Sequence, residues 1–335
     1  MTLIARRLAG HLARGFVMIL VVATISFFIV NNIPGDPMAA RFEKLVEGGM
    51  SPDAAAQAVK VLYGFQPSGS MWQQYTDYMA GLLRFDLGQS ITRPGTPVLD
   101  VLAEKAKWTV LPVLAGTLVS FLVGIILGVY AAIKRKGKLG DLLAISGSLL
   151  HGIPQYVLAM LLVVIFATLI PILPADGPVD ILFEPGFNAG YLGSLAEHAV
   201  LPVATYALSA YGGWILAMKS SVVTVLGDDF ILAAELRGMK RSIVFRYIAR
   251  NAILPLFTIL ALSLGLLLGG AVFIEKIFNY PGLGLLLIDS VNERDYATMG
   301  GAFLLITVAV IIANIVADLF YSVIDPRVRS GEEAT

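Results

Sequence analysis

The amino-acid sequence predicts an all-α polytopic membrane protein with six transmembrane helices. Three observations carry the prediction. Charged residues make up 14% of the 335 residues, against roughly 25% in soluble proteins. Mean hydropathy is +0.79. Apolar runs long enough to cross a hydrocarbon core of about 30 Å recur along the chain. The formal net charge of zero says little about partners, because in a membrane protein the distribution of charge carries more information than its sum. Cysteine is absent, which excludes disulfides, thiolate-bound metals and a thiol nucleophile.

The first span falls at 15–33. Arg6, Arg7 and Arg14 ahead of it also fit the start of a signal peptide, and Arg6-Arg7 a twin-arginine signal. The run is long for a signal core, however, and leads into Asn31-Asn32-Ile33-Pro34-Gly35-Asp36-Pro37, not into a small-residue cleavage site. An uncleaved helix within 1–33 is expected. Residues 34–105 follow as an external region. There Ser51-Pro52-Asp53 reads as a helix start, and Met71–Leu83, with Trp72, Tyr75, Tyr78 and Met79, reads as an amphipathic aromatic helix folded against the outer membrane face. Further spans at 108–133, 143–172, 199–222, 252–273 and 299–324 form a five-helix core over 106–324, and 325–335 is a short tail.

Lysine and arginine set the orientation. With the N-terminus inside, the cytoplasmic segments hold Arg6, Arg7 and Arg14, then Lys134, Arg135, Lys136 and Lys138, then the cations from Lys219 to Arg250, then Arg327 and Arg329. The facing short loops are almost bare: 171–198 has no lysine or arginine, and the loop before the last span has Lys276 and Arg294. Both termini are therefore expected in the cytoplasm.

Arg237, Lys240, Arg241, Arg246 and Arg250 then fall on the inner side, in a loop over 223–251. Burying each cation in hydrocarbon costs about 2.5 to 3.5 kcal/mol, so this stretch is not a seventh span. Asp228-Asp229 offer an N-cap and negative charge at a helix start, 230–237 is a good helical run, and Gly238 suits the C-terminal cap. Ala233 and Ala234 leave a face with little side-chain bulk, beside Phe230, Ile231 and Leu236, which are expected to be exposed. So short a helix is marginal alone in water. Two readings stay open: a basic loop that serves topology only, and a docking helix rigidly joined to the next span. That span starts within 242–251, and Pro255 inside it predicts a kink.

Within the spans, Gly124-x-x-x-Gly128 and Gly265-x-x-x-Gly269 are small-residue faces for intramolecular packing or for subunit contact. His151, Pro154, Gln155 and Tyr156 interrupt the third span, and Thr205, Tyr206, Ser209 and Tyr211 the fourth. Polar groups at that depth face protein or a water-filled cavity, so His151, Gln155, Tyr156, Tyr206 and Ser209 are candidates for a translocation path, or for helix-to-helix hydrogen bonds. Asn314 and Asp318, a turn apart in the last span, read as packing or an interfacial ion pair.

No catalytic pattern is found. A P-loop needs G-x-x-x-x-G-K-[ST], whereas Gly137-Lys138 is followed by leucine. His11, His151 and His198 are scattered without metal-ligand spacing, and G-x-S-x-G is missing. The chain is not expected to be an enzyme or to bind a metal or cofactor. A secondary transporter, and an intramembrane hydrolase using Ser148 and His151, are the alternatives from other classes.

The stretch Phe230-Ile231-Leu232-Ala233-Ala234-Glu235-Leu236-Arg237-Gly238, followed by Arg250-Asn251-Ala252-Ile253-Leu254-Pro255, resembles the "EAA" loop of permease subunits of binding-protein-dependent ABC importers. IPGDP at 33–37, LLRFDLGQS at 82–90, NYPGLGLLLIDSVNERDY at 279–296 and YSVIDPRVR at 321–329 narrow the resemblance to the dipeptide/oligopeptide permease family. It implies the type I importer permease fold and a coupling helix gripped by an ATPase subunit, carried by Phe230, Ala233, Ala234, Glu235, Arg237 and Gly238. Leu232 departs from the pattern, which has glutamate there. An outer gate element at Pro281, Gly282 and Gly284 is expected from the turn that introduces 285–291. The implied partners are a second, different permease, two cytoplasmic ATPases that bind ATP and Mg, an outer substrate-binding protein and membrane lipid, with no nucleic acid. The implied cargo is di- or oligopeptides, with oligosaccharides or nickel as alternatives.

Overall fold

The computed structural model describes residues 2–32, 42–43, 45–63, 70–93, 95–135 and 137–324. Among them the fold is helical, and the one β contact is an isolated bridge between Gln89 and Pro97. The chain divides into two compact units, one of Met1–Leu8, Trp108–Tyr280 and Val310–Thr335, the other of Ala9–Lys107 and Pro281–Ala309. Three long helices belong partly to each: α1 (Thr2–Asn32), α4 (Val98–Ile133) and α12 (Tyr296–Ile324).

The first unit is built around α7 (Ala189–Val225), which packs on α5 (Lys138–Gly152), on α6 (Gln155–Val163) and on α9 (Arg241–Gly270). Glycine sets how closely helices approach it. A Cβ on Gly116, Gly124 or Gly128 of α4 would overlap the Cβ of Tyr206, Trp214 or Met218 of α7, and a Cβ on Gly212 would overlap the carbonyl of Gly147 in α5. The expected small-residue face Gly124-x-x-x-Gly128 therefore serves packing within the chain. The environment of Gly265 and Gly269 lies outside the described residues.

Helix limits differ from the expected spans in informative ways. The second span begins ten residues earlier, because α4 starts at Val98. The fourth starts at Ala189, where the Asn188 side chain caps the helix by accepting from the Tyr191 amide at 2.8 Å. The third, expected as one helix over 143–172, is broken: α5 meets α6 and its π-helical continuation Val164–Leu169 at 99°. Pro154 causes this, since it cannot donate to the preceding turn and excludes Ile153 from helical geometry; Ile153 is extended, with ψ 124°. Pro255, by contrast, lies inside α9 without ending it. The unit continues through α10 (Val272–Ile277).

In the second unit, α2 (Pro52–Tyr63) begins with proline at its first position, as expected. Helix α3 has the bounds read from the sequence, Met71–Leu83, and Ser70 and Gln73 close a capping box at its start. Its aromatic face lies on the end of α1: Tyr75 and Tyr78 sit 5.4 and 5.5 Å from Phe27 between ring centroids, and the Tyr75 and Thr24 hydroxyls are 2.9 Å apart. Burial pushes the Tyr78 hydroxyl up to about 12, so this contact is neutral at any ordinary pH. Helix α11 (Leu283–Asn292) packs with the start of α4 and of α12 through Val98, Leu102, Leu283 and Ala302.

Among the described residues, four helices are long and apolar enough to cross a membrane, and the bent pair makes a fifth if counted as one span. The remaining expected span, the fifth in chain order at 252–273, lies in α9 and α10, where the side chains at 258, 261–262 and 264–270 are outside the described residues.

Candidate functional site

The basic loop forms the helix α8 (Asp229–Leu236). Asp228 occupies the N-cap position, but its side chain makes no capping hydrogen bond. At the other end Gly238 adopts φ 68°, its amide donates to Glu235 O at 2.9 Å and the Met239 amide donates to Ala234 O at 3.2 Å. These two bonds are a Schellman cap, which needs a left-handed residue where Gly238 stands.

The inner face of α8 is Ile231 and Ala234, 2% and 5% exposed. They enter one apolar cluster with Val129 and Ala132 of α4, Met218, Val222 and Val225 of α7, and Val244, Ile248 and Ala252 of α9. This corrects two expectations. Ile231 is not exposed, and Ala234 is small because it fits against its own bundle. The physical reason is helical spacing: residues three apart share a face, and the bundle takes the 231/234 face. Phe230, Leu232, Ala233, Glu235, Leu236, Arg237 and Gly238 remain on the open side. Leu232, which departs from the resembled pattern, is among the exposed apolar residues. The Ser221 hydroxyl donates to Ala252 O at 2.7 Å, joining α7 to α9 just beside α8.

The polar residues of the third and fourth spans are brought partly together. Gln155 Nε2 donates to Ser209 Oγ at 3.0 Å, and that hydroxyl donates to Tyr206 O at 3.0 Å. Tyr206 is buried. His151 lies beside Gly212 and Gly213 of α7. Tyr156 stands apart from this group, exposed and 6.2 Å from the ring of Phe273. The side chain of Asp318 lies outside the described residues, and so does the segment 33–37.

Two buried acids were not singled out from the sequence. Glu275 of α10 is 2% exposed and accepts from the Thr109 hydroxyl at 2.6 Å; a lone acid inside an apolar run was its only local signal. Asp295, in the second unit, is fully buried. Its Oδ2 accepts from Ser90 Oγ at 2.6 Å, Thr92 N at 3.1 Å, Thr92 Oγ1 at 3.0 Å and Thr298 Oγ1 at 2.8 Å, and its Oδ1 from Thr298 N at 3.1 Å. Asp295 thus caps α12 and holds the segment around Ser90 to it. Of the expected gate residues, Gly282 is the N-cap of α11, Gly282 and Gly284 are buried, and Pro281 is half-buried. A cleft of about 280 Å³ beside them is lined by Thr92, Arg93, Lys105, Pro281, Asp289 and Glu293, among others. No group of three or more metal-ligating side chains is found among the described residues.

Residues 124–330 match the family described as binding-protein-dependent transport system inner membrane component. The chain is 32% identical over 327 residues to the dipeptide transport system permease protein DppB of Escherichia coli (strain K12), covering 92% of this chain and 94% of that protein. It is 31% identical over 318 residues to the glutathione transport system permease protein GsiC of Salmonella typhimurium, with 93% and 94% covered. The oligopeptide transport system permease protein AppB of Bacillus subtilis is 27% identical over 313 residues, with 93% and 95% covered. A multi-pass helical bundle, a short capped helix seated on it and these matches along the chain agree: the chain belongs to the binding-protein-dependent transport system inner membrane components, in the dipeptide/oligopeptide permease family.

Proposed function

We propose that this chain is the membrane-spanning permease subunit of an ATP-driven importer of short peptides. With a second permease it forms the translocation path; two ATPase subunits below bind ATP and Mg, and a binding protein above delivers the cargo. The observation that carries the reading is the seating of α8: one face is locked into the bundle by Ile231 and Ala234, and the other presents Phe230, Leu232, Leu236 and Arg237. A helix held that way transmits displacement to α7 and α9 without bending. The peptide assignment is supported by the dipeptide, oligopeptide and glutathione systems in which the relatives are named.

In this mechanism ATP binding closes the ATPases, α8 moves with them, and the cavity alternates from inward to outward. Moving a two-state equilibrium from 1:99 to 99:1 takes about 5.5 kcal/mol, which the closing ATPases supply through α8. Gln155, Ser209 and Tyr206 form part of the path or of the helix contact that bounds it.

The test is Gly238→Trp in the assembled transporter. The left-handed position strains any side chain with a Cβ, and the bulky indole separates α8 from its ATPase. Uptake of peptide and peptide-stimulated ATP hydrolysis are expected to fall together while subunit assembly, read by co-purification, is retained. Unchanged uptake with normal assembly refutes the coupling role.

A further inference from the structure

Helix α3 has two apolar faces, and α1 covers one of them. Tyr75 and Tyr78 lie toward Phe27 and Phe28 of α1. At about 100° per residue, Trp72, Thr76 and Leu83 fall within about 40° of one another on a second stripe. Trp72 and Leu83 are 68% and 77% exposed. Gln73 and Asp77, also exposed, occupy the arc beyond that stripe. The helix is therefore apolar through its α1 contact and past it, and polar on the remaining side.

Phe85, just past the end of the helix, is 80% exposed and adopts the left-handed conformation, φ 58°. Its amide donates to Leu82 O at 3.1 Å and the Asp86 amide to Gly81 O at 2.9 Å. This is the Schellman closure that also ends α8, with phenylalanine at the position that Gly238 fills there. A Cβ is strained in that conformation, and a ring so exposed finds little within the chain to offset the strain. The depth of α3 shows what lies outside. Tyr75 reaches the Thr24 hydroxyl at 2.9 Å and stacks on Phe28 at 5.8 Å, and both partners belong to the apolar window Leu12–Ile29 of α1. Thr24 is only about 8 Å of helix rise short of the end of that window. Phe28 and Ile29 are themselves exposed, so the uncovered face of α3 continues the lipid-facing surface of α1.

We propose that α3 is a lipid-binding helix: Trp72, Leu83 and Phe85 enter the boundary between headgroups and acyl chains in the leaflet at which α1 ends, and Gln73 and Asp77 face water. Tryptophan is enriched at that level of a bilayer, and an amphipathic helix buries its apolar face there. Exposed Arg84, between Leu83 and Phe85, can lay its stem along apolar surface and keep its charge among the headgroups. The occupant of the stripe is a phospholipid surface, not a protein. The inference needs only that α1 spans the membrane, so it is independent of the cargo.

The experiment places single cysteines at neighbouring positions of the cysteine-free chain, Thr76→Cys on the stripe and Asp77→Cys on the polar side. Each carries a nitroxide, in the assembled transporter in nanodiscs of phosphatidylethanolamine and phosphatidylglycerol. Oxygen, which concentrates in lipid, should relax the label at position 76, and a water-soluble nickel chelate the label at position 77. Phe85→Gly supplies a second reading. Glycine takes the left-handed conformation without strain, so the unfolding midpoint in detergent should hold or rise while the oxygen preference at position 76 is reduced. A misfolded variant does not give that pair of results. Chelate access at position 76 equal to that at position 77 means that the stripe faces water, and shielding of position 76 from both reagents means that a protein covers it; either overturns the proposal. So does a lowered midpoint for Phe85→Gly, which makes the ring a support of the fold, or an oxygen preference that this variant leaves unchanged.

Discussion

At Asp295 five donors converge on one carboxylate that has no exposed surface. Removing the side chain strands hydroxyls and amides that are otherwise satisfied, and each stranded group costs about 1–3 kcal/mol. Asp295→Ala is expected to destabilise the chain by on the order of 3 kcal/mol or more, read as a lowered unfolding midpoint in detergent. Asp295→Asn keeps the shape but turns part of the acceptor into a donor, so it should lie between Ala and wild type. None of this was legible in the sequence, although Asp295 stood inside a quoted motif. Its partner Ser90 is 205 positions away, and no local pattern reports such a pairing. Gly238 is the opposite case. Its left-handed conformation follows from what a helix end requires locally, so its place was readable from the nine residues around it.

The elements divide in the same way. Helix α3 has the bounds of its amphipathic aromatic run, with a capping box at Ser70 and Gln73 that the sequence reading does not use, and α8 lies within one residue of the expected run at each end because acids and a glycine bracket it. Which face of α8 points inward was misread, since that depends on where α7 and α9 run. The difference can be measured. Ile231→Ala opens a hole in the bundle and is expected to cost about 2–5 kcal/mol, lowering the yield of folded chain. Leu236→Ala, at a position 80% exposed, is expected to leave stability within about 0.5 kcal/mol while weakening co-purification with the ATPase subunits. Equal stability loss in the two variants would contradict the assigned faces. The break at Ile153 and Pro154 was likewise half legible: the proline and its polar neighbours were noted, but hydropathy averages over a bend, so 143–172 read as one span.

For the whole molecule, the sequence supplied class and family and left the supports of the motifs hidden. Composition and the cation pattern report the solvent that each segment meets, which is a one-dimensional property. The contacts that make α7 central are three-dimensional and rest on glycines whose spacing alone did not name a partner. Where Gly116, Gly124 and Gly128 lie against the Cβ atoms of Tyr206, Trp214 and Met218, and Gly147 against the backbone of Gly212, little room is left between the helices to take up a shift. A hinge cannot form where there is no slack. In the proposed cycle α5, α7 and the part of α4 from Trp108 onward are expected to move together as one block, and the absence of cysteine makes this easy to follow. Cysteine pairs placed across the α4–α7 boundary away from those glycines should cross-link at the same rate with and without trapped nucleotide; a rate that changes with the nucleotide would mean that the block comes apart.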